Sequence, residues 1–251
     1  MTQKLVQLQK NYYSYLDRKA RHIGHKLTKS QDVTKLLLDY IKELYESAKT
    51  GKFKNNDRFE SAYHNPISSD LEALIARILY HYSNFKKLGW KIYLRRQVGK
   101  TVPDIRVERN NKTIAIIEVK AKAGWIQSFF SKERYKKAIK KLRKGKSKSD
   151  PRNLIKKVRN QFKKYYETYN IRPKQVFVLL PSLILVHRKK SLQKIQDYEK
   201  QFTKNSKLPR ENLILLSLNR LLDLSSNPRR KDYNPTKRFE NFISSLIGLS
   251  K

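Results

Sequence analysis

The stretch TVPDIRVERNNKTIAIIEVKAKAGW, Thr101 to Trp125, reads as two short apolar strands joined around Asn110 and Asn111, with Asp104, Glu118 and Lys120 set among isoleucines and valines. Alternate residues of a strand share a face. Glu118 and Lys120 therefore point one way, accompanied by Ile114 and Ile116, while Ile117 and Val119 point the other. On the preceding strand Asp104 shares a face with Arg106, and Ile105 and Val107 take the opposite one.

The connection decides whether the two charged sets meet. A two-residue turn at Asn110–Asn111 pairs Arg109 with Lys112 and sets Asp104 across from Ile117, which separates the carboxylates. A three-residue loop pairs Arg109 with Thr113 and sets Asp104 opposite Glu118, because one residue of slip exchanges faces. Asparagine tolerates the left-handed backbone such loops need. The three-residue register is therefore expected, with the Cβ atoms of Asp104 and Glu118 about 5 Å apart. Two carboxylates at that distance repel unless a cation lies between them, and a pair of hard oxygen ligands suits Mg²⁺, with Mn²⁺ as a substitute. Lys120 beside them can orient a hydroxide or neutralise charge developing on a phosphate.

Pro103-Asp104, thirteen intervening residues and then Glu118-Val119-Lys120 resemble the signature of the PD-(D/E)XK nuclease superfamily. That resemblance implies an α/β chain with a restriction-endonuclease-like core, a mixed central sheet flanked by helices. It carries Asp104 and Glu118 over as metal ligands and Lys120 as the catalytic lysine. Many members add a glutamate from a preceding helix; Glu72 in LEALIARILYHY matches that position, with Asp70 the weaker substitute, although Glu72 equally suits an ordinary helix-surface residue. EVKAKAGW is similar to a segment of some type II restriction endonucleases. Gln161 and Tyr165 in QFKKYY resemble the Q-x-x-x-Y helix motif of the RecB-like branch, which contacts substrate phosphate. The basic segment from Ser131 to Ser149, with Lys136 and Lys140, reads as a phosphate-binding stripe.

The rest of the chain frames this core. Leu37, Tyr40, Ile41, Leu44, Tyr45 and Ala48 mark a helix over 32–48 with Ser30 as N-cap, and Leu71, Leu74, Ile75, Ile78, Leu79 and Tyr82 mark another. QVFVLLP, Leu213–Ser217 and Pro235–Leu249 read as a buried strand, a second strand and a terminal amphipathic helix. The expected organisation is an N-terminal helical subdomain over 1–65, a nuclease core over 66–190 and a C-terminal helical extension over 191–251, packed on the core.

Charge and composition narrow the partners. With 58 Lys and Arg against 21 Asp and Glu, the net charge of +37 in 251 residues calls for a polyanion. Double-stranded DNA is the expected one. The longest apolar run, Val176 to Val186, is broken by Pro181 and too short to span a membrane. No apolar leader follows Met1, so a cytoplasmic, nucleoid-associated location is expected. The absence of cysteine excludes disulfides, thiolate zinc sites and cysteine-ligated iron–sulfur clusters. With 7 glycines there is no phosphate-cradling loop of the kind a motor needs. The expected activity is Mg²⁺-dependent cleavage of DNA, first as a homodimeric type II restriction endonuclease. The alternatives are a Holliday-junction resolvase or RecB-like exonuclease, and a noncatalytic DNA-binding protein.

Overall fold

Apolar stripes at spacings of three and four build three N-terminal helices: α1 (Gln3–Thr28), α2 (Thr34–Thr50) and α3 (Pro66–Lys86). Leu16, Ala20, Ile23 and Leu27 of α1 are buried, as are Leu37, Leu38, Ile41 and Leu44 of α2 and Leu71, Leu74, Ile75, Ile78 and Leu79 of α3. Gly24 lets α1 press onto α3, since a Cβ there would lie 3.1 Å from both the His81 Cβ and the Tyr82 nitrogen. In this computed structural model the described residues are 3–50, 66–120, 140, 151–182, 192–217 and 235–250.

After Gly89 the period changes to that of strands. β1 (Lys91–Leu94), β2 (Ile105–Arg109) and β3 (Lys112–Val119) are followed by α4 (Pro151–Tyr169), β4 (Val176–Ser182), α5 (Leu192–Ser206), β5 (Leu213–Ser217) and α6 (Arg238–Leu249). The five strands form one mixed sheet in the order β1-β2-β3-β4-β5. β1, β2 and β3 pair antiparallel, and β3, β4 and β5 parallel. One face, with Ile105, Val107, Ala115, Ile117, Val119, Phe177, Leu179 and Ile214, packs against α1, α2, α3 and α6. On the other, Ile116, Val178, Leu180 and Leu215 meet Val158, Phe162 and Tyr165 of α4 and Phe202 of α5. The chain is thus an α/β protein with helices on both sides of a mixed sheet. β5, inside the segment 191–251, is an integral strand of that sheet. Among the described residues no helix is long and apolar enough to cross a membrane.

Polar contacts brace the C-terminal segment within itself and fasten it to the N-terminal helices. Glu199 is fully buried between Arg210, at 2.6 Å, and Arg238, at 2.5 Å. Glu240 caps α2, accepting hydrogen bonds from the Val33 and Thr34 backbone N–H groups, each at 2.9 Å, and from the Thr34 hydroxyl. This displaces the expected cap at Ser30. Ser30 instead ends α1 with a left-handed φ of 54° and donates its N–H to the Leu27 carbonyl.

Glu240→Ala removes a cap from buried backbone donors. It is expected to cost about 1–2 kcal/mol of stability and lower the thermal midpoint by a few degrees, readable by calorimetry or circular dichroism.

Candidate active site

The charged sets do meet, by a route different from the expected loop. Asn110 and Asn111, with φ of 51° and 60°, form a two-residue turn that pairs Arg109 with Lys112. The missing slip comes from a β-bulge. Glu108 pairs with Thr113 but Val107 with Ala115, leaving Ile114 as the extra residue. From there outward Ile105 pairs with Ile117, which brings Asp104 to the level of Glu118. The bulge also corrects the placement of Ile114: it joins Ala115 and Ile117 on the helical-layer side, while Ile116 remains on the face of Glu118.

At this end of the strands three side chains converge. The Lys120 ammonium donates to Asp104 Oδ2 and to Glu118 Oε2, both at 2.7 Å. Asp104 Oδ2 also accepts from the Val119 backbone N–H at 2.8 Å, so the carboxylate continues the ladder where the strand's own backbone leaves it. The Asp104 carbonyl faces β1 and extends the β1–β2 register, accepting from the Arg95 N–H at 3.0 Å. Glu118 is 3 % exposed, and its second oxygen accepts from the Tyr165 hydroxyl at 2.6 Å. Gln161, one turn earlier on α4, donates to that hydroxyl at 2.7 Å. The Gln161–Tyr165 pair is therefore wired to the acidic pair by α4.

Glu72 is buried at the same end of the sheet, but both its oxygens are taken by Arg95, at 2.5 and 2.9 Å. It does not join Asp104 and Glu118 as a third ligand, and no cluster of three or more acidic or histidine ligands assembles among the described residues. Arg95 was not picked out by spacing; its signal is its place just past β1, where a left-handed φ of 48° turns the chain back toward α3. Arg106 lies on the face of Asp104, stacked on Tyr93 and Tyr169 at 4.4 and 5.3 Å and paired with Glu108 at 2.5 Å. Lys140 is helical and exposed. Lys136 and the rest of the basic segment, like Trp125 before it, lie outside the described residues.

The electrostatics follow from crowding carboxylates in a dry place. Burial and then the Glu118 charge push the Asp104 carboxyl up to about 7, with Glu72 adding to the rise and Lys120 opposing it. Burial disfavours the Lys120 ammonium, yet Glu118 and Asp104 together outweigh it and hold the group above its ordinary range. Lys120 is thus a fixed cation and donor, not an acceptor of protons. Burial and Glu118 likewise raise Tyr165, which stays a neutral donor. The hydrogen bonds that Arg95 donates to Glu72 hold its guanidinium above its ordinary range.

No family model matches the chain, and no curated protein and no solved structure matches it.

Two consequences can be measured. Asp104 binds its proton more tightly in the folded chain than at its ordinary value of 3.8, so stability present below about pH 4 is lost as pH rises toward 7. Asp104→Asn does not titrate. In EDTA its thermal midpoint relative to wild type should climb between pH 4 and pH 7 and level off above; a flat difference contradicts the assignment. Tyr165→Phe leaves a buried Glu118 oxygen without its donor and should cost about 1–3 kcal/mol in chemical denaturation.

Proposed function

We propose that the chain is a Mg²⁺-dependent DNA endonuclease with a restriction-endonuclease-like core, and that it acts as a homodimeric, sequence-specific type II restriction enzyme. The observation that carries this reading is the convergence of Asp104 and Glu118 on one ammonium nitrogen, at 2.7 Å each, on adjacent strands of a mixed sheet. A position that satisfies a cation from two carboxylate oxygens is already built. Asp104 still retains its proton up to about 7, so the site is short of positive charge even with Lys120 present. A divalent ion remedies that deficit.

The donor set fits Mg²⁺, with Mn²⁺ as substitute: Asp104 and Glu118 supply hard anionic oxygens, and water and phosphate complete the shell. Glu72 can contribute where Arg95 releases it. Once bound, such an ion supplies Lewis-acid polarisation of the phosphodiester and a more acidic water. The side chains do the rest. Lys120 keeps its charge and offers N–H donors to a non-bridging phosphate oxygen or to the attacking water. The Val119 N–H orients Asp104, and Tyr165, held by Gln161, orients Glu118.

The net charge of +37 suits double-stranded DNA, with one active site of the dimer serving each strand. A location beside the chromosome follows from that substrate. A second reading, a RecB-like exonuclease or junction resolvase, is favoured by the Gln161–Tyr165–Glu118 link.

Incubation with supercoiled plasmid in Mg²⁺ should give discrete linear fragments. Asp104→Ala and Lys120→Ala should each lower the rate by at least about a hundredfold. Cleavage confined to branched or end-bearing DNA selects the second reading, and intact DNA of every form in both Mg²⁺ and Mn²⁺ would falsify the enzyme reading altogether.

A further inference from the structure

A cleft of about 600 Å³ lies between the turn that precedes Asp104 and the outer side of α4. Lys100 and Val102 line it from the turn, and Lys156, Lys157, Asn160 and Lys164 line it from the helix. Its inner end is Gln161 and Tyr165, the pair that reaches Glu118. All four lysines are exposed. None of them has an ion-pair partner among the described residues, whereas the adjacent Lys163 pairs with Glu167 at 3.6 Å. Among the described residues no carboxylate lines the cleft.

Both walls are tied to the acidic pair. The turn closes through reciprocal Val98 and Thr101 backbone hydrogen bonds at 3.0 and 3.1 Å. The buried Thr101 hydroxyl then donates to the Tyr169 hydroxyl of α4 at 2.9 Å. Asp104 follows three residues after that anchor, and Glu118 is held by Tyr165 from the opposite wall. The cleft is accordingly fixed in place relative to Asp104 and Glu118.

From Lys156 to Lys164 the helix advances roughly 12 Å, against 3.4 Å of axial rise per nucleotide on one DNA strand. A row of ammonium groups that long spans about three phosphates. Val102, 49 % exposed, sits on the rim where it offers an apolar contact to deoxyribose. We propose that this cleft binds consecutive backbone phosphates of the strand being cut, on one side of the scissile bond. Its place beside a cut rests on the nuclease reading; its affinity for DNA does not. Lysines there position the strand and carry no base preference.

The test uses the full chain and a fluorescein-labelled 20-bp duplex in EDTA, where binding is read without cleavage. K156Q/K157Q/K164Q is compared with K86Q/K87Q/K112Q, which removes equal charge at the far end of α3 and at the β2–β3 turn. The cleft variant should flatten the plot of log affinity against log salt by about 2–3, at roughly 0.9 per lost phosphate contact, and the control should not. Equal effects of the two variants overturn the cleft. A flattened slope with DNA of every form left intact in Mg²⁺ and Mn²⁺ keeps the cleft and rejects the nuclease. Plasmid cleavage with indistinguishable variants does the reverse.

Discussion

Carboxylates buried together at the end of a sheet repel each other, and the arrangement around Asp104 is organised by that repulsion. Lys120 holds Asp104 and Glu118 from one ammonium group. Arg95 holds Glu72 with a two-pronged contact. Breaking a buried pair by removing one partner leaves an uncompensated charge, which is among the more costly changes a fold can suffer. The cations nonetheless fall short, because Asp104 keeps its proton up to about 7. A group in that condition favours additional positive charge.

The backbone makes this possible through one irregularity. A tight asparagine turn alone would have put Asp104 and Glu118 on opposite sides of the sheet. The bulge at Ile114 shifts β3 by one residue, so Glu118 and Lys120 leave the face covered by α1, α2, α3 and α6 and meet α4 instead. Tyr165 of that helix can then reach Glu118, and Thr101 can reach Tyr169. One inserted residue thereby joins the acidic pair, the helix behind it and the cationic cleft into one unit.

The two layers differ in purpose. The N-terminal helices and α6 supply most of the apolar burial, and Glu240 locks them together across the whole length of the chain. The α4 side buries fewer apolar residues, and its Lys156, Lys157, Lys163 and Lys164 are left to solvent. A net charge of +37 opposes compaction. The lysines of α4 place a share of that charge beside the acidic pair, which composition alone does not show.

Periodicity places β4, β5, α2, α3 and α6 closely, because apolar spacing reports local geometry that each segment adopts for itself. Alternation along two strands was also enough to group Asp104, Glu118 and Lys120. The turn differs from the expected three-residue loop, since an asparagine pair serves loops of either length and a bulge in a run of isoleucines leaves no mark in composition. The cap from Glu240 and the clamp from Arg95 join residues far apart in sequence, and neither has a local signal. Residue types and spacing therefore determined which side chains are available at the ends of β2 and β3. Only the folded sheet, by setting register and bringing α3 and α4 against it, decided that Lys120 lies between two carboxylates while Arg95 takes Glu72 away from them, because distance between charges is a property of packing and not of order along the chain.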